Sequence, residues 1–356
     1  MTSPPGPLSH RPPAFRERGK PGSASVPPAL TPVGKGEAFD ALAPDYDTSF
    51  TATPLGTLLR QAVWRRLDAS FAPGQRVLEL GCGTGEDAAH LASRRVHVLA
   101  TDASPVMVET ARRKVAAAGL GDLVEVRRMS IEDMVHIRVN PEVGEGLAPS
   151  RVGGGREGDN VTFPPSREGA SPSPTGEKVS PESASSCLPS PGDREGGAGR
   201  GAGGEGPFDG AFSNFGGLNC VADLGGVARG LAALLPPGAP VLLCVMGPLV
   251  PWEWIWYLGR LRPGTAFRRL RPGGVVWRGI TVRYPSIRTL RRAFSPAFRL
   301  RRLSGVGAFL PPTYAEEWTR RHPHALSRLD RWERRFASLQ PFPWLADHYL
   351  AELVRT

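Results

Sequence analysis

Residues 77–85 read Val-Leu-Glu-Leu-Gly-Cys-Gly-Thr-Gly. A short apolar run carries one acid, Glu79, and then breaks into glycines at 81, 83 and 85. The next stretch, Glu86-Asp-Ala-Ala-His-Leu-Ala-Ser-Arg94, has two acids in its first turn and no helix breaker. The spacing predicts a strand, a tight glycine turn and a helix start, which commits the chain to an α/β sheet with a ligand-binding edge. Glycine there lets the backbone come within contact distance of a ligand. The first N–H groups of the helix then face that ligand with positive polarity.

Spacing decides what kind of ligand. A dinucleotide fingerprint needs glycine at 86, where Glu86 stands, and a P-loop needs Gly-Lys-Ser/Thr, which is absent. A carboxylate at position 79 also repels a pyrophosphate and suits a cationic ligand. The pattern acid-x-Gly-x-Gly-x-Gly resembles motif I of the class I S-adenosylmethionine (SAM)-dependent methyltransferases, whose cofactor carries an ammonium and a sulfonium. The resemblance assigns Glu79, Gly81, Cys82, Gly83 and Gly85 to cofactor binding. A glycine-rich turn with no ligand is the plain alternative.

The next two units extend the pattern. Val96 to Thr101 is a β-branched-rich run ending at Asp102, near the offset where a ribose-binding acid is expected. Ser104 suits an N-cap and Pro105 the first helical position. Met107, Ala111 and Val115 keep helical spacing up to a stop at Gly119. In the family the acid ending the second strand binds both ribose hydroxyls, and Asp102 matches it; the alternative is that Asp102 helps cap the helix. A third strand, Leu123–Arg128, leads into Met129-Ser-Ile-Glu-Asp133. The family commonly places an Asp here for the adenine amino group, but the aligned residue is Ser130. Glu132 or Asp133 then substitutes, or backbone and apolar contacts hold the adenine, with Met107 and Ile131 among them. Near the N-terminus, residues 39–47 look like the family's first helix, whose tyrosine often covers the cofactor; Tyr46 is the candidate.

Composition divides the chain. Its 37 prolines and 43 glycines are unevenly spread over 356 residues. Residues 1–35 are rich in Pro, Gly and Ser without the apolar core of a signal peptide, and read as a disordered tail. Residues 139–207 hold almost no large apolar side chain and read as a disordered low-complexity insertion, since they cannot bury enough surface to offset their ordering entropy. Such an insertion costs a fold little, because loop-closure entropy grows logarithmically. No apolar run approaches the length of a membrane span, and the scattered cysteines suggest neither a disulfide framework nor a metal site. A cytoplasmic location is expected.

The second half resumes the α/β pattern. Phe208–Phe215 reads as a strand that delivers Asn214 to the cofactor edge, followed by a loop through Cys220. The Asp/Asn-Pro-Pro-Tyr and Pro-Cys signatures of two specialised methyltransferase types are absent. Asp223–Leu235 reads as a helix and Pro240–Met246 as a buried strand. Gly279–Tyr284, Ser286–Phe294 and Phe298–Leu303 resemble the family's closing strand, helix and strand, the last one antiparallel. The expected fold is a doubly wound, Rossmann-like seven-stranded α/β sheet with its last strand antiparallel. Residues 36–138 and 208–310 form its two parts, and 311–356 a helical C-terminal extension.

Two further segments bear on the acceptor. Leu249–Leu258 packs Trp252, Trp254, Trp256 and Tyr257 into a few residues, which suits a lid over a bulky apolar substrate or an element dipping into a membrane interface; a helix packed inside the domain is the third reading. In the C-terminal extension, His348 lies beside Asp347 and is the candidate general base. Residues 247–356 hold 20 arginines, no lysine and 7 acids, a charge of +13 against +10 for the whole chain. The arginines are not interleaved with aromatics as on a nucleic-acid surface, so no nucleic-acid partner is expected. The reading is a SAM-dependent methyltransferase for a small or lipophilic acceptor, with no metal. The alternatives are an RNA or protein methyltransferase and a SAM-binding regulatory protein without turnover.

Overall fold

A computed structural model describes residues 36–136 and 207–356. The expected tail at 1–35 lies outside the described residues, as does the expected insertion up to residue 206. The described chain starts with two short helices, α1 (Glu37–Asp40) and α2 (Ala43–Tyr46), and a π-helical turn at Asp47–Thr51. Helix α3 (Pro54–Ser70) precedes β1 (Arg76–Leu80), α4 (Glu86–Ser93), β2 (His97–Asp102), α5 (Pro105–Ala117) and β3 (Val124–Arg128). The second part runs β4 (Gly210–Ser213), α6 (Leu224–Leu234), β5 (Pro240–Met246), α7 (Pro251–Leu258) and α8 (Pro263–Ala266). It continues with β6 (Val275–Trp277), β7 (Ile280–Val282), α9 (Ile287–Phe294) and β8 (Phe298–Val306). Helices α10 (Glu316–Arg321), α11 (Pro323–Phe336) and α12 (Phe342–Leu345) then lead to β9 (His348–Arg355).

The main sheet has seven strands in the order β3-β2-β1-β4-β5-β9-β8. Strands β3, β2, β1, β4 and β5 pair in parallel, and β9 runs antiparallel to both β5 and β8. The expected seven-stranded sheet with its last strand antiparallel is therefore present. Strand order reverses between β1 and β4, and sheets of this kind bind ligands beyond the carboxyl ends of the strands at such a reversal.

Alternation along each strand builds two apolar layers. Val77, Val98, Leu242 and Leu350 face the layer built with Leu55, Leu59 and Val63 of α3 and Leu91 of α4. Their neighbours Leu78, Leu99, Leu243 and Ala351 face the layer built with Leu231 of α6 and Leu290 and Phe294 of α9. With both faces covered, the strands carry nearly continuous apolar runs. Ser104 caps α5 by accepting the Met107 amide at 3.1 Å, and Ser286 caps α9 through the Thr289 amide.

The closing strands differ from the sequence expectation. Residues 280–282 pair with 275–277 in a separate two-stranded ribbon. Phe298–Val306 is the sheet edge, parallel in direction to β5, and the antiparallel last strand is His348–Arg355. The extension expected to be helical is helical only as far as Leu345. Its end fills the slot between β5 and β8, and six consecutive residues, His348 to Leu353, are buried there. A run so placed satisfies its amides on both sides, which a final helical turn would not.

Glu333 fixes α11 against the sheet. Its buried carboxylate accepts the amides of Gly307 (2.8 Å), Ala308 (3.4 Å) and Phe309 (2.8 Å), which follow β8.

Candidate functional site

The turn after β1 has all three of its glycines at positive φ: Gly81 at 71°, Gly83 at 54° and Gly85 at 77°. A side chain at Gly85 would put its Cβ 2.9 Å from Ala111 Cβ of α5, so the third glycine serves helix packing. A Cβ at Gly81 would stand 3.5 Å from Gly217 Cα, so the loops after β1 and β4 converge at the point of strand reversal. Ile131 joins them, its Cδ1 lying 3.7 Å from that same position.

Asp102, at the end of β2, holds this turn. Its Oδ2 accepts the Gly83 amide and its Oδ1 the Ser104 amide, each at 2.9 Å. Burial pushes its carboxyl above the ordinary range, against the pull of these backbone donors. A carboxylate accepts about four hydrogen bonds, so acceptor capacity remains on Asp102 for ligand hydroxyls. The bond to Ser104 also gives Asp102 a part in the start of α5, so the two sequence readings are compatible.

Glu79 sits beneath the turn with 1% of its surface exposed. Its Oε2 is buried and finds no hydrogen-bond partner among the described residues. Burial pushes its carboxyl well above the usual range, and Asp87 and Asp102 add to this while Arg60 opposes it. An uncompensated buried carboxyl of this kind calls for a cationic group.

Beside it lies a network of which the sequence reading names only Asn214 as a site residue. Asp87 is salt-bridged to Arg60 at 2.8 Å and accepts hydrogen bonds from Trp64 Nε1 (2.7 Å) and Asn214 Nδ2 (3.0 Å). Burial works to raise Asp87, but Arg60 and these donors outweigh it and hold the carboxyl low. The guanidinium of Arg60 lies over both Phe50 (5.5 Å) and Phe215 (5.2 Å), which meet each other edge-on at 5.4 Å. Asn214 Oδ1 is buried without a partner among the described residues. The one signal available in sequence was the acidic first turn of α4; Arg60 looked like any helical arginine.

The N-terminal segment is strapped over this edge. Thr84 of the glycine turn donates to Asp47 at 2.7 Å, and Ser104 donates to Asp40 at 2.5 Å. Tyr46 lies between these ties, its ring 5.7 Å from Phe50. Burial raises its phenol against the pull of Arg60, and the carboxylates of Asp87 and Asp102 add to the rise.

Other expected site residues have contacts of their own. Ser130 donates to Asp133 Oδ2 at 2.6 Å and accepts the Asp133 amide, a closed box that starts the next turn. Met107 is 2% exposed and belongs to the interior. Cys82 packs in the α3-side layer. Burial pushes the Cys220 thiol up to about 11, so at neutral pH it is not a thiolate.

His348 opens β9, opposite Met246 at the carboxyl end of β5, and so reaches the same edge as the glycine turn. Phe215, next to Asn214, meets its ring edge-on at 5.6 Å. His348 Nδ1 is 3.0 Å from Asp347 Oδ2, off the line of a well-aligned hydrogen bond. Asp347 Oδ1 is in turn bound by Arg269 Nη2 at 2.6 Å. Burial acts to raise Asp347, but Arg269 and His348 prevail and hold it well below the carboxylate range. Arg269 Nε also lies 2.6 Å from Glu253 of α7, so the tryptophan helix is tied to the start of β9. Trp252, Trp254 and Trp256 are half-buried. Trp254 packs against Phe267 at 5.7 Å and Trp256 against Tyr314 at 5.4 Å.

Residues 77–139 match a family model described as a methyltransferase domain. Over 104 residues the chain is 32% identical to the ubiquinone/menaquinone biosynthesis C-methyltransferase UbiE of Geotalea daltonii, which is 28% of this chain and 43% of that protein. Over 87 residues it is 36% identical to the tuberculostearic acid methyltransferase UfaA1 of Mycobacterium tuberculosis, 23% of this chain and 20% of that protein. Over 100 residues it is 29% identical to the tRNA 5-carboxymethoxyuridine methyltransferase of Escherichia coli, 27% of this chain and 38% of that protein. The chain thus spans less than half the length of these relatives.

Proposed function

We propose that this chain, a member of the class I SAM-dependent methyltransferases, methylates a small lipophilic acceptor at an oxygen, nitrogen or carbon atom. The observation that carries the reading is Glu79: a buried carboxyl whose Oε2 has no hydrogen-bond partner among the described residues, beneath three left-handed glycines at the strand reversal. It fits the ammonium of SAM. The open acceptor positions of Asp102 fit the ribose hydroxyls, Tyr46 covers the edge, and Ile131 offers an apolar wall. Bound SAM supplies an already activated methyl group on a sulfonium.

The chain's own work is then to position the acceptor and exclude water, which contributes most where the electrophile needs no further activation. Phe215 and the half-buried aromatics of α7 supply apolar surface on the acceptor side. Of the relatives above, two are named for a quinone and for tuberculostearic acid, which favours a lipophilic acceptor over RNA. Where the acceptor must lose a proton, His348 takes it and Asp347 steadies the resulting imidazolium.

Tritiated SAM incubated with the purified chain and a cell extract tests this. Label in an organic-soluble product is the expected result. Label in RNA or protein replaces the acceptor class, and no label at all, despite SAM binding by calorimetry, leaves a non-catalytic SAM-binding protein.

A further inference from the structure

From Trp254 to Ala315 the sequence holds 13 arginines and no aspartate, glutamate or lysine. The first half of this run forms a lobe between β5 and α9: helices α7 and α8, a 3₁₀ turn at Arg268–Leu270, and the β6–β7 ribbon. Ten large hydrophobic side chains are exposed among the described residues, and six of them lie here: Ile255, Leu258, Leu261, Phe267, Leu270 and Val276. Leu261 is 90% exposed, Val276 73% and Ile255 67%. Arg260, Arg262, Arg271 and Arg278 are exposed beside them, and no acid among the described residues pairs with these four. The two arginines that do meet an acid, Arg268 and Arg269, share the buried Glu253.

Exposed apolar side chains gathered in one lobe mark an interaction surface, and the arginines require its partner to be anionic. The apolar set decides which anionic partner. Five of the six residues are aliphatic and present no π-face to a nucleobase. Among the aromatic side chains nearby, Trp256 is covered by Arg260 at 3.6 Å and also packs on Tyr314, and Trp254 packs on Phe267. A bilayer interface accepts both components, aliphatic groups at the acyl boundary and guanidinium groups at lipid phosphates. Among the described residues no helix is long and apolar enough to cross a membrane.

We propose that residues 251–284 dock the protein onto a membrane surface bearing anionic phospholipids. Ile255, Leu258 and Leu261 enter the acyl boundary, and Arg260, Arg262, Arg271 and Arg278 meet phosphates. The lobe joins the candidate site at two points, Arg269 on Asp347 and Trp277 against Phe39 at 5.9 Å. Docking therefore brings the mouth of the site to the layer where a lipophilic acceptor dissolves.

The test is co-sedimentation of the full chain with vesicles of phosphatidylcholine alone or mixed with phosphatidylglycerol, without SAM or acceptor. Its failure would thus leave the methyl-transfer reading standing. Binding to the mixed vesicles, weakening with added salt, is expected. It should fall about tenfold or more in the triple variant Ile255→Ser/Leu258→Ser/Leu261→Ser, and likewise in Arg260→Gln/Arg262→Gln/Arg278→Gln. The melting temperature should not change, since these side chains are exposed; if the triple variant is misfolded, Leu261→Ser alone carries the test with a smaller loss. A parent protein that ignores the mixed vesicles, or binds single-stranded RNA instead, overturns the proposal. So does a serine variant that binds vesicles as tightly as the parent, because charge alone would then explain the association.

Discussion

The Gly83 amide donates to Asp102 Oδ2 at 2.9 Å, so the acid that ends β2 holds in place the turn that follows β1. The same carboxylate that offers its remaining acceptor positions to a ligand shapes the backbone next to that ligand. Cofactor affinity and loop geometry are therefore coupled at one side chain.

Asp102→Ala removes both. Hydrogen bonds to a charged group contribute about 1.5–3 kcal/mol each, so SAM affinity should fall by about one to two orders of magnitude in a folded protein. Calorimetry showing unchanged affinity would assign Asp102 to the turn alone.

Glu79 makes the cofactor-free protein sensitive to pH. Its carboxyl titrates well above 4.5 when folded, so the folded state holds the proton more tightly than the unfolded state. The resulting stability is fully present below the unfolded value and is lost as pH rises through the folded one. Glu79→Gln should flatten this decline in urea titrations from mildly acidic to neutral pH, and should weaken SAM binding at neutral pH. Parallel stability curves for parent and variant would show that Glu79 does not titrate as described.

Arg269 holds two carboxylates, Glu253 and Asp347, and its own side chain is 10% exposed. Removing one member of a buried ion pair costs about 3–5 kcal/mol, because the other charge is left unpaired. Arg269→Met should lose stability of that order in urea, and Arg269→Lys less. A loss near the 0–1 kcal/mol typical of surface pairs, about that range or below, would mean that water already shields the cluster.

If His348 takes a proton from the acceptor, His348→Ala should lower methyl transfer by about 10²–10⁴. SAM affinity should stay the same, since Glu79 and Asp102 are untouched. A variant with full turnover would point to an acceptor that needs no base.

Residues 139–207 are proposed to be dispensable for the fold. Strands β3 and β4 stand three places apart in the sheet, roughly 14 Å at the usual strand spacing. A Gly/Ser linker of about ten residues joining Arg138 to Phe208 reaches across, strand length included. SAM affinity and melting temperature should be nearly unchanged in this protein, and a large fall in either would make the removed segment part of the domain.

What could be read from the sequence is local in origin. The positive φ of Gly81, Gly83 and Gly85, the Ser104 cap and the β1–α4–β2–α5–β3 run depend on residues a few positions apart, and the structure has them where spacing predicts. Tertiary structure decided what depends on distant partners. Residues 348–355 become a strand because β5 and β8 leave a slot between them, and the residues facing it lie over 40 to over 100 positions away in sequence. Glu79 was legible as an acid before a glycine turn, but its isolation follows from what surrounds it in space. Likewise, one arginine among 40 becomes the clamp on Asp347 only because α7 and β9 meet beside it. Backbone preference acts within a turn or two, whereas burial and charge pairing are properties of the packed chain.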